Sequence, residues 1–404
     1  MCVLPGHGSM EVVVIGGGIS GMASAYYLSE RDGVEVTLCE QGENIGSGST
    51  PRAVGGMRSL YSTPVHVEMS LASLEVWNGF EEEFGIEIDY KNNGYLFGVR
   101  SRTQYETLRG DIAMQNQLGA VTEFITPEEG TEHVPELKTE NYMAMGWDPA
   151  ASMADPHACL QAFSQLAREN GVQILTDHQV TDVRQDGAGR ARGVEINGGE
   201  REIDADYVVN AAGPWGHRVS AMVDVEVPIT PKKRMTAIMN PEKEVPDDAP
   251  LFIDLGTGAY FRPWDMDRIL AGGHFEDDDP TVDPDNPQSF QDTVDLEWAD
   301  MAMEALMSSS DYFGLDTEIV RAWSGVYAIT PSNHPIIEES VPGFVNNVGH
   351  SGRAFMHSPA SGELVAEIAV DGEASLVDTT ALRTDDGRDT RRQLPIPYTK
   401  DTYD

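Results

Sequence analysis

Three glycines, Gly16, Gly18 and Gly21, stand in the spacing G-x-G-x-x-G, and a carboxylate, Glu40, follows nineteen positions after the last of them. Those residue types at that spacing can grip a dinucleotide. Gly16 permits a tight turn, Gly18 lets backbone approach a pyrophosphate, and Gly21 lets a helix pack closely on a strand. The helix N-terminus then faces the phosphate charge, and Glu40 is placed to accept hydrogen bonds from a ribose 2′-hydroxyl. An acid there disfavours a 2′-phosphate and so argues against NADP. It does not separate NAD from FAD. A second stretch, "GSGSTPRAVGGMRSLYS" at 46–62, is small and glycine-rich yet carries Arg52 and Arg58. Arginine is planar and always charged, so a pair of them in such a loop calls for anionic partners.

These groups work only if elements position them. Residues 12–15 are a continuous β-branched apolar run, as in a buried parallel strand, and residues 23–28 read as the helix after the glycine turn. Residues 34–40 alternate as a second strand that ends in Glu40. A helix is expected over 64–84, then two strands joined by an Asn-Asn-Gly turn over 86–99, then polar helix over 101–145. An amphipathic helix over 156–170 leads into three strands through residue 197, and a further buried strand, 207–210, runs into "AAGPWG". From residue 228 to about 316 alternation dominates, which predicts antiparallel sheet plus a helix near 298–306. The last ~30 residues, polar and proline-rich, read as a tail. Segments of α/β character alternate with segments of mixed-β character, so two domains interleave in sequence.

Composition excludes several classes. The chain has 404 residues, 67 Asp and Glu against 27 Lys and Arg, and a formal net charge of −40. Acids are spread throughout, and 40% hydrophobic residues supply a core. This is the composition of a folded protein with a solvated acidic surface, as on proteins of salt-loving (halophilic) organisms. Nucleic acid is disfavoured, because phosphate binding needs clustered Lys and Arg. No apolar run approaches the twenty residues of a membrane span, and no secretion signal is evident. Residues 1–9 read as an unpatterned leader, with Met10 as the natural start. Cys2, Cys39 and Cys159 show no CxxC spacing and the histidines no HExxH pattern, so neither a disulfide framework nor a metal site is expected. The run "EDDDP" at 276–280 reads as surface. A reducing cytoplasm is the natural compartment.

Four stretches occur in order: the Gly16-Gly18-Gly21 turn, the 46–62 loop, "VVNAAGPWG" and "GHSGRAFMHSPASGELVAE". Together they resemble the D-amino-acid oxidase superfamily of FAD enzymes, and most nearly its sarcosine oxidase and dimethylglycine dehydrogenase branch. The resemblance implies an α/β (α+β overall) fold: a Rossmann-like FAD-binding domain (10–86, 145–222 and 322–370) and an interleaved substrate domain on a mixed or antiparallel sheet (87–144 and 223–321), with 371–404 as tail. It implies that Ile19, Ser20, Gln41, Ser47, Ser49 and Thr50 join the glycines and Glu40 in holding FAD. Arg52, Ala53, Gly55, Gly56 and Met57 would follow them along the cofactor. Val180 is placed to contact adenine through its backbone, and Ala212, Gly213 and Trp215 to close over the adenosine. Gly325 and the stretch Gly349, His350, Ser351, Gly352, Arg353 and Ala354 would border the flavin, the latter as a loop and helix start.

For the reaction, the resemblance implies oxidation of a C–N bond in a small amino acid or N-methylated amine, by hydride transfer to flavin N5. Arg58 matches the arginine that binds the substrate carboxylate. His274, Tyr260, Arg262 and Tyr327 match positions around the pocket. Residues that tether FAD covalently in relatives are replaced here, for example by Gly325, so FAD is expected to be non-covalent. The family's second carboxylate-binding lysine falls on Met356, and its oxygen-activating lysine on Leu270. The electron acceptor is accordingly left open between oxygen and another carrier, as is a homo- or hetero-oligomeric assembly. Alternative readings are a subunit of an amino-acid or proline dehydrogenase complex, and a non-catalytic flavoprotein assembly factor.

Overall fold

The computed structural model describes residues 9–384 apart from 266, 276–279, 288 and 290–293. The acidic run at 276–279 and the last twenty residues therefore lie outside the described residues. The chain forms two compact units. Among the described residues, one takes in 9–51, His157–Ile229 and 328–384; the other takes in Arg52–Pro156 and Thr230–Tyr327. The crossings thus lie at 51/52, 156/157, 229/230 and 327/328, where the sequence reading sets them at 86/87, 144/145, 222/223 and 321/322.

The first unit is built on a six-stranded sheet. Its strands, in spatial order, are Ile336–Val341, Phe344–Val348, Tyr207–Asn210, Met10–Ile15, Val34–Cys39 and Gln173–Leu175. All neighbours are parallel except the first pair. The apolar run 12–15 is buried on both faces, as a central parallel strand requires. The helices Ile19–Ser29 and Ser358–Ala366 pack on each other so closely that a Cβ on Gly362 would stand 2.8 Å from the backbone of Ala23. A three-stranded antiparallel meander, Val180–Gln185, Ala191–Ile196 and Arg201–Asp204, completes the unit.

The second unit carries an eight-stranded sheet. The order is Glu318–Ile329, Thr230–Asn240, Arg268–Gly273, Ala259–Asp265, Leu251–Asp254, Tyr95–Val99, Ala144–Asp148 and Glu123–Ile125. One pair, Leu251–Asp254 with Tyr95–Val99, is parallel. The helix Leu296–Ser309 covers one face, where Trp298 and Leu306 pack with Phe252, Phe261 and Met235.

Three local expectations change. No strand forms over 86–91, because Asp89 takes φ = +52° and the segment makes only an isolated bridge from Lys91 to Met153. Within 101–145 only Arg102–Gln117 and Pro127–Gly130 are α-helical, while Glu123–Ile125 and Ala144–Asp148 are strands, since their apolar side chains extend the sheet beside Tyr95–Val99. The expected tail is structured as far as residue 384, with Leu382 and Ala381 buried.

Candidate active site

In the first unit the strand Met10–Ile15 delivers the chain to Gly16, at φ = +112°. A Cβ on Gly16 would stand 2.6 Å from Ala211 O, and one on Gly21 only 1.9 Å from Gly16 O. Both positions exclude a side chain, so the helix begins directly on the strand ends. The Ile19 amide donates to Thr50 Oγ1 at 3.1 Å, which caps the first turn from a distant loop. Glu40 is buried. Its Oε2 accepts from the Gly17 amide at 2.7 Å, and its Oε1 from the Gly42 amide at 2.7 Å and Ser47 Oγ at 3.0 Å. Three of its roughly four lone pairs are used, leaving one for a ligand hydroxyl. Glu40 is thus also the brace that ties the glycine turn to the 42–47 loop.

These elements enclose a cavity of about 170 Å³. Gly16, Gly18, Ile19 and Ser20 line it, with Glu40, Gln41, Ser47, Ser49 and Thr50. Val180, Ala212, Gly213, Trp215 and Ala354 close it. Gly21 does not line it; it is spent on helix packing beneath. His178, Gln179 and Arg218 also line the cavity and were not singled out in the sequence. The first two adjoin Val180 in the chain, which is the only sequence signal for them. His178 Nδ1 lies 2.6 Å from Thr176 O, so Nδ1 carries the hydrogen of that bond.

The stretch 349–354 departs from the expected helix start. Gly349, Ser351 and Gly352 all have positive φ, and the helix begins at Ser358. Ser351 does not cap it: its Oγ accepts from the Thr330 amide at 3.1 Å and donates to Gly349 O at 3.2 Å. His350 donates from Nε2 to Asn347 Oδ1 at 2.9 Å. Burial, with the nearby Arg353 cation, pushes it down to about 4, so the imidazole is neutral at pH 7. Arg353 donates to Asn333 O at 2.8 Å.

In the second unit the registers align Phe97, Ile253, Tyr260, Gly272 and Thr236 as one lateral row across five strands. A lateral row projects to one face, and residues two apart share it. Tyr95, Arg262, Arg234 and His274 therefore belong to the same face as Tyr260, opposite the Leu296–Ser309 helix. Arg58 is buried, with 4% exposure, and its guanidinium sits 4.5 Å from the ring centre of Tyr61, 5.7 Å from Tyr95 and 5.5 Å from Phe97. Arg234 lies 5.3 Å over the Tyr327 ring, and the His274 ring is 6.3 Å from it. Burial, then the Arg234 cation, hold His274 well below its ordinary pKa, so it is neutral. Arg234 carried no sequence signal beyond its charge.

The remaining loop residues are held by close contacts within the second unit. Gly55 is at φ = +82° with Ala154 O where a Cβ would be, and the Tyr95 hydroxyl fills the space beside Gly56. Gly56–Met57 pairs with Ser152–Met153. Ala53 is half-buried beside them. Arg262 donates to Pro263 O at 2.8 Å and to Val54 O at 3.0 Å, pinning the loop backbone. Arg52 accepts at its carbonyl from Trp323 Nε1 at 3.2 Å, and its Cβ would stand 3.2 Å from a Cβ placed on Gly325. Met356 and Leu270 are buried apolar residues where the resemblance expects lysines.

A family model described as DAO, FAD-dependent oxidoreductase, matches residues 11–368. The chain belongs to that family. Among solved structures this DAO-family member is similar to the L-proline dehydrogenase from P. horikoshii, at 31% identity and TM-score 0.83, over 93% of this chain and 97% of that one. It is 26% identical to FAD-dependent oxidoreductase domain-containing protein 1 of Xenopus laevis, over 90% of this chain and 79% of that protein. It is also 26% identical to the mitochondrial pyruvate dehydrogenase phosphatase regulatory subunit of Mus musculus, over 90% of this chain but only 42% of that protein's length. The cofactor of the family is FAD, and the first unit fits its nucleotide half: a backbone cradle that side chains would fill, a helix N-terminus and a carboxylate with one free acceptor position. FAD, when bound, supplies a two-electron acceptor.

Proposed function

We propose that this FAD-dependent oxidoreductase oxidises the C–N bond of a small amino acid or N-methylated amine, with Arg58 holding the substrate carboxylate. The observation that carries the reading is the buried Arg58 guanidinium under three aromatic rings, beside a sheet face that presents Tyr260 and a neutral His274. The chain's residues divide the work. Arg58 offers a planar two-pronged donor that matches a carboxylate. The rings exclude water, which strengthens that contact. His274, neutral and beside the Arg234 cation, disfavours a second positive charge and so favours the substrate amine as its free base. FAD, when bound, would supply the two-electron acceptor; these residues would hold a C–H bond adjacent to the substrate nitrogen toward it, and the iminium left by loss of hydride would be hydrolysed by water to a carbonyl compound and an amine.

Similarity to an L-proline dehydrogenase supports a secondary amino acid, and Leu270 at the place of an oxygen-activating lysine supports an acceptor other than oxygen. The test is anaerobic reduction of the purified yellow protein in concentrated KCl by sarcosine, N,N-dimethylglycine, L-proline and a set of D-amino acids. Bleaching by one of them supports the reading. A bound flavin that none of them reduces favours the second reading, a non-catalytic assembly or regulatory flavoprotein, which similarity to a phosphatase regulatory subunit supports.

A further inference from the structure

Residues 55–59 are gripped along their whole length by one short segment, 148–154. Ala154 donates to Gly55 O at 2.9 Å, and Gly56–Met57 pairs with Ser152–Met153. Beyond Arg58, Ser59 donates to Asp148 Oδ2 twice, from its amide at 2.7 Å and its hydroxyl at 2.8 Å. Asp148 Oδ1 in turn accepts from the Ala150 amide at 3.2 Å. Arg58 therefore stands between two fixed points, the Gly56–Met57 ladder and the Ser59–Asp148 pair.

Asp148 is fully buried at the end of its strand, where it pairs in register with Tyr95. Tyr95 is one of the rings under the Arg58 guanidinium. A buried carboxylate is retained only where hydrogen bonds and an opposite charge hold it. Here burial pushes the carboxyl up, while the Ser59 and Ala150 bonds, and after them the Arg58 cation, oppose that.

We infer that Asp148 is the positioning residue of Arg58: by fixing Ser59 and the 148–154 segment, it presents the guanidinium in one orientation to a substrate carboxylate. Its carboxylate oxygens accept from Ser59 and from the Ala150 amide, so the action inferred is on the orientation of the loop. This rests on the reading of Arg58 given above.

The test uses the FAD-loaded protein and an unreactive planar probe, pyrrole-2-carboxylate, with binding read from the visible flavin spectrum and from the shift in Tm. R58Q should weaken binding about 100-fold. D148N, which keeps the shape but turns a donor toward the Ala150 amide, should weaken it about 10-fold, and S59A about 3-fold. The double variant R58Q/D148N should bind no worse than R58Q alone, because Asp148 acts through Arg58. Additive losses in the double variant overturn the inference, since a general structural defect would add. Tighter binding in D148N also overturns it, since Asp148 would then be a competing anion. Should D148N fail to retain FAD, S59A decides: wild-type affinity in S59A overturns the inference. If the wild-type protein does not bind the probe, or R58Q binds as tightly as wild type, the Arg58 reading itself falls.

Discussion

The lining of the first-unit cavity comes in contiguous runs, 16–20, 39–41, 47–50, 178–180 and 211–215, and most of these residues offer backbone or small hydroxyls. Around Arg58 in the second unit the picture is different. Arg58, Tyr95, Asp148 and Tyr260 arrive singly from segments scattered over more than two hundred positions, and what they offer is side chains. The first arrangement suits a constant ligand, the dinucleotide half of a cofactor, through geometry that any homologous turn can supply. The second, on the proposed function, would recognise the variable ligand, and can be altered one side chain at a time without disturbing a turn. Backbone sites fail by steric exclusion, which is abrupt. Side-chain sites fail by loss of a charge or an orientation, which is graded.

That contrast can be broken or sharpened by experiment, beginning with the largest effect. Gly21→Val should abolish flavin retention, because its Cβ would sit 1.9 Å from the Gly16 carbonyl and no rotamer relieves a backbone clash. A colourless, destabilised protein is the expected result, with a loss of about 4 kcal/mol or more. A yellow Gly21→Val protein would break the comparison. Arg58→Gln should leave flavin content at the wild-type level while kcat/KM for a responsive amino acid falls about 100-fold, about 3 kcal/mol.

Glu40→Gln turns a donor toward one of the two backbone amides, Gly17 or Gly42, that its two oxygens accept from. FAD affinity should drop by about 2 kcal/mol, measured by titrating apoprotein with FAD. Asp111, which accepts from Ser62 Oγ at 2.9 Å, is pushed up to about 7 by burial, the Ser62 bond opposing. Its folded pKa lies above the unfolded value, so the folded state binds the extra proton and stability from this group is lost as pH rises from about 4 to 7. Asp111→Asn should flatten that slope and stabilise the protein by roughly 1 kcal/mol at pH 8, read from urea midpoints across pH. His350 has the opposite sign, losing stability as pH falls from 6.5 toward 4. Smallest is Gly79→Ala within the Pro64–Phe84 helix, where an added Cβ meets nothing within 4 Å. It should raise stability by about 0.5–1 kcal/mol and leave both sites unchanged.

Much of the first unit was legible because its signals are local. Gly16, Gly18 and Gly21 with Glu40 declare a strand, turn, helix and strand within about thirty residues, and in the second unit the Pro64–Phe84 helix was likewise read to its ends from apolar spacing. The brace role of Glu40 was not legible, since Gly42 and Ser47 bend back on it only in three dimensions. His178 was missed because a single polar residue at a strand entrance has no pattern. In the second unit, 86–91 was misread as strand because alternation there is real but Asp89 turns the chain aside. Asp148 and Arg234 were missed because a lone acid or base in a strand carries no period.

By itself the sequence determined the family, the cofactor and the loop that carries Arg58, because a dinucleotide cradle depends on residues near one another in the chain and on glycine's missing Cβ. The tertiary structure alone decided what surrounds that arginine. Tyr61 is a chain neighbour, but the rings of Tyr95 and Phe97, and the Asp148 carboxylate that holds Ser59, come into place only after strand pairing sets their register, and register is fixed by non-local burial that no local pattern encodes.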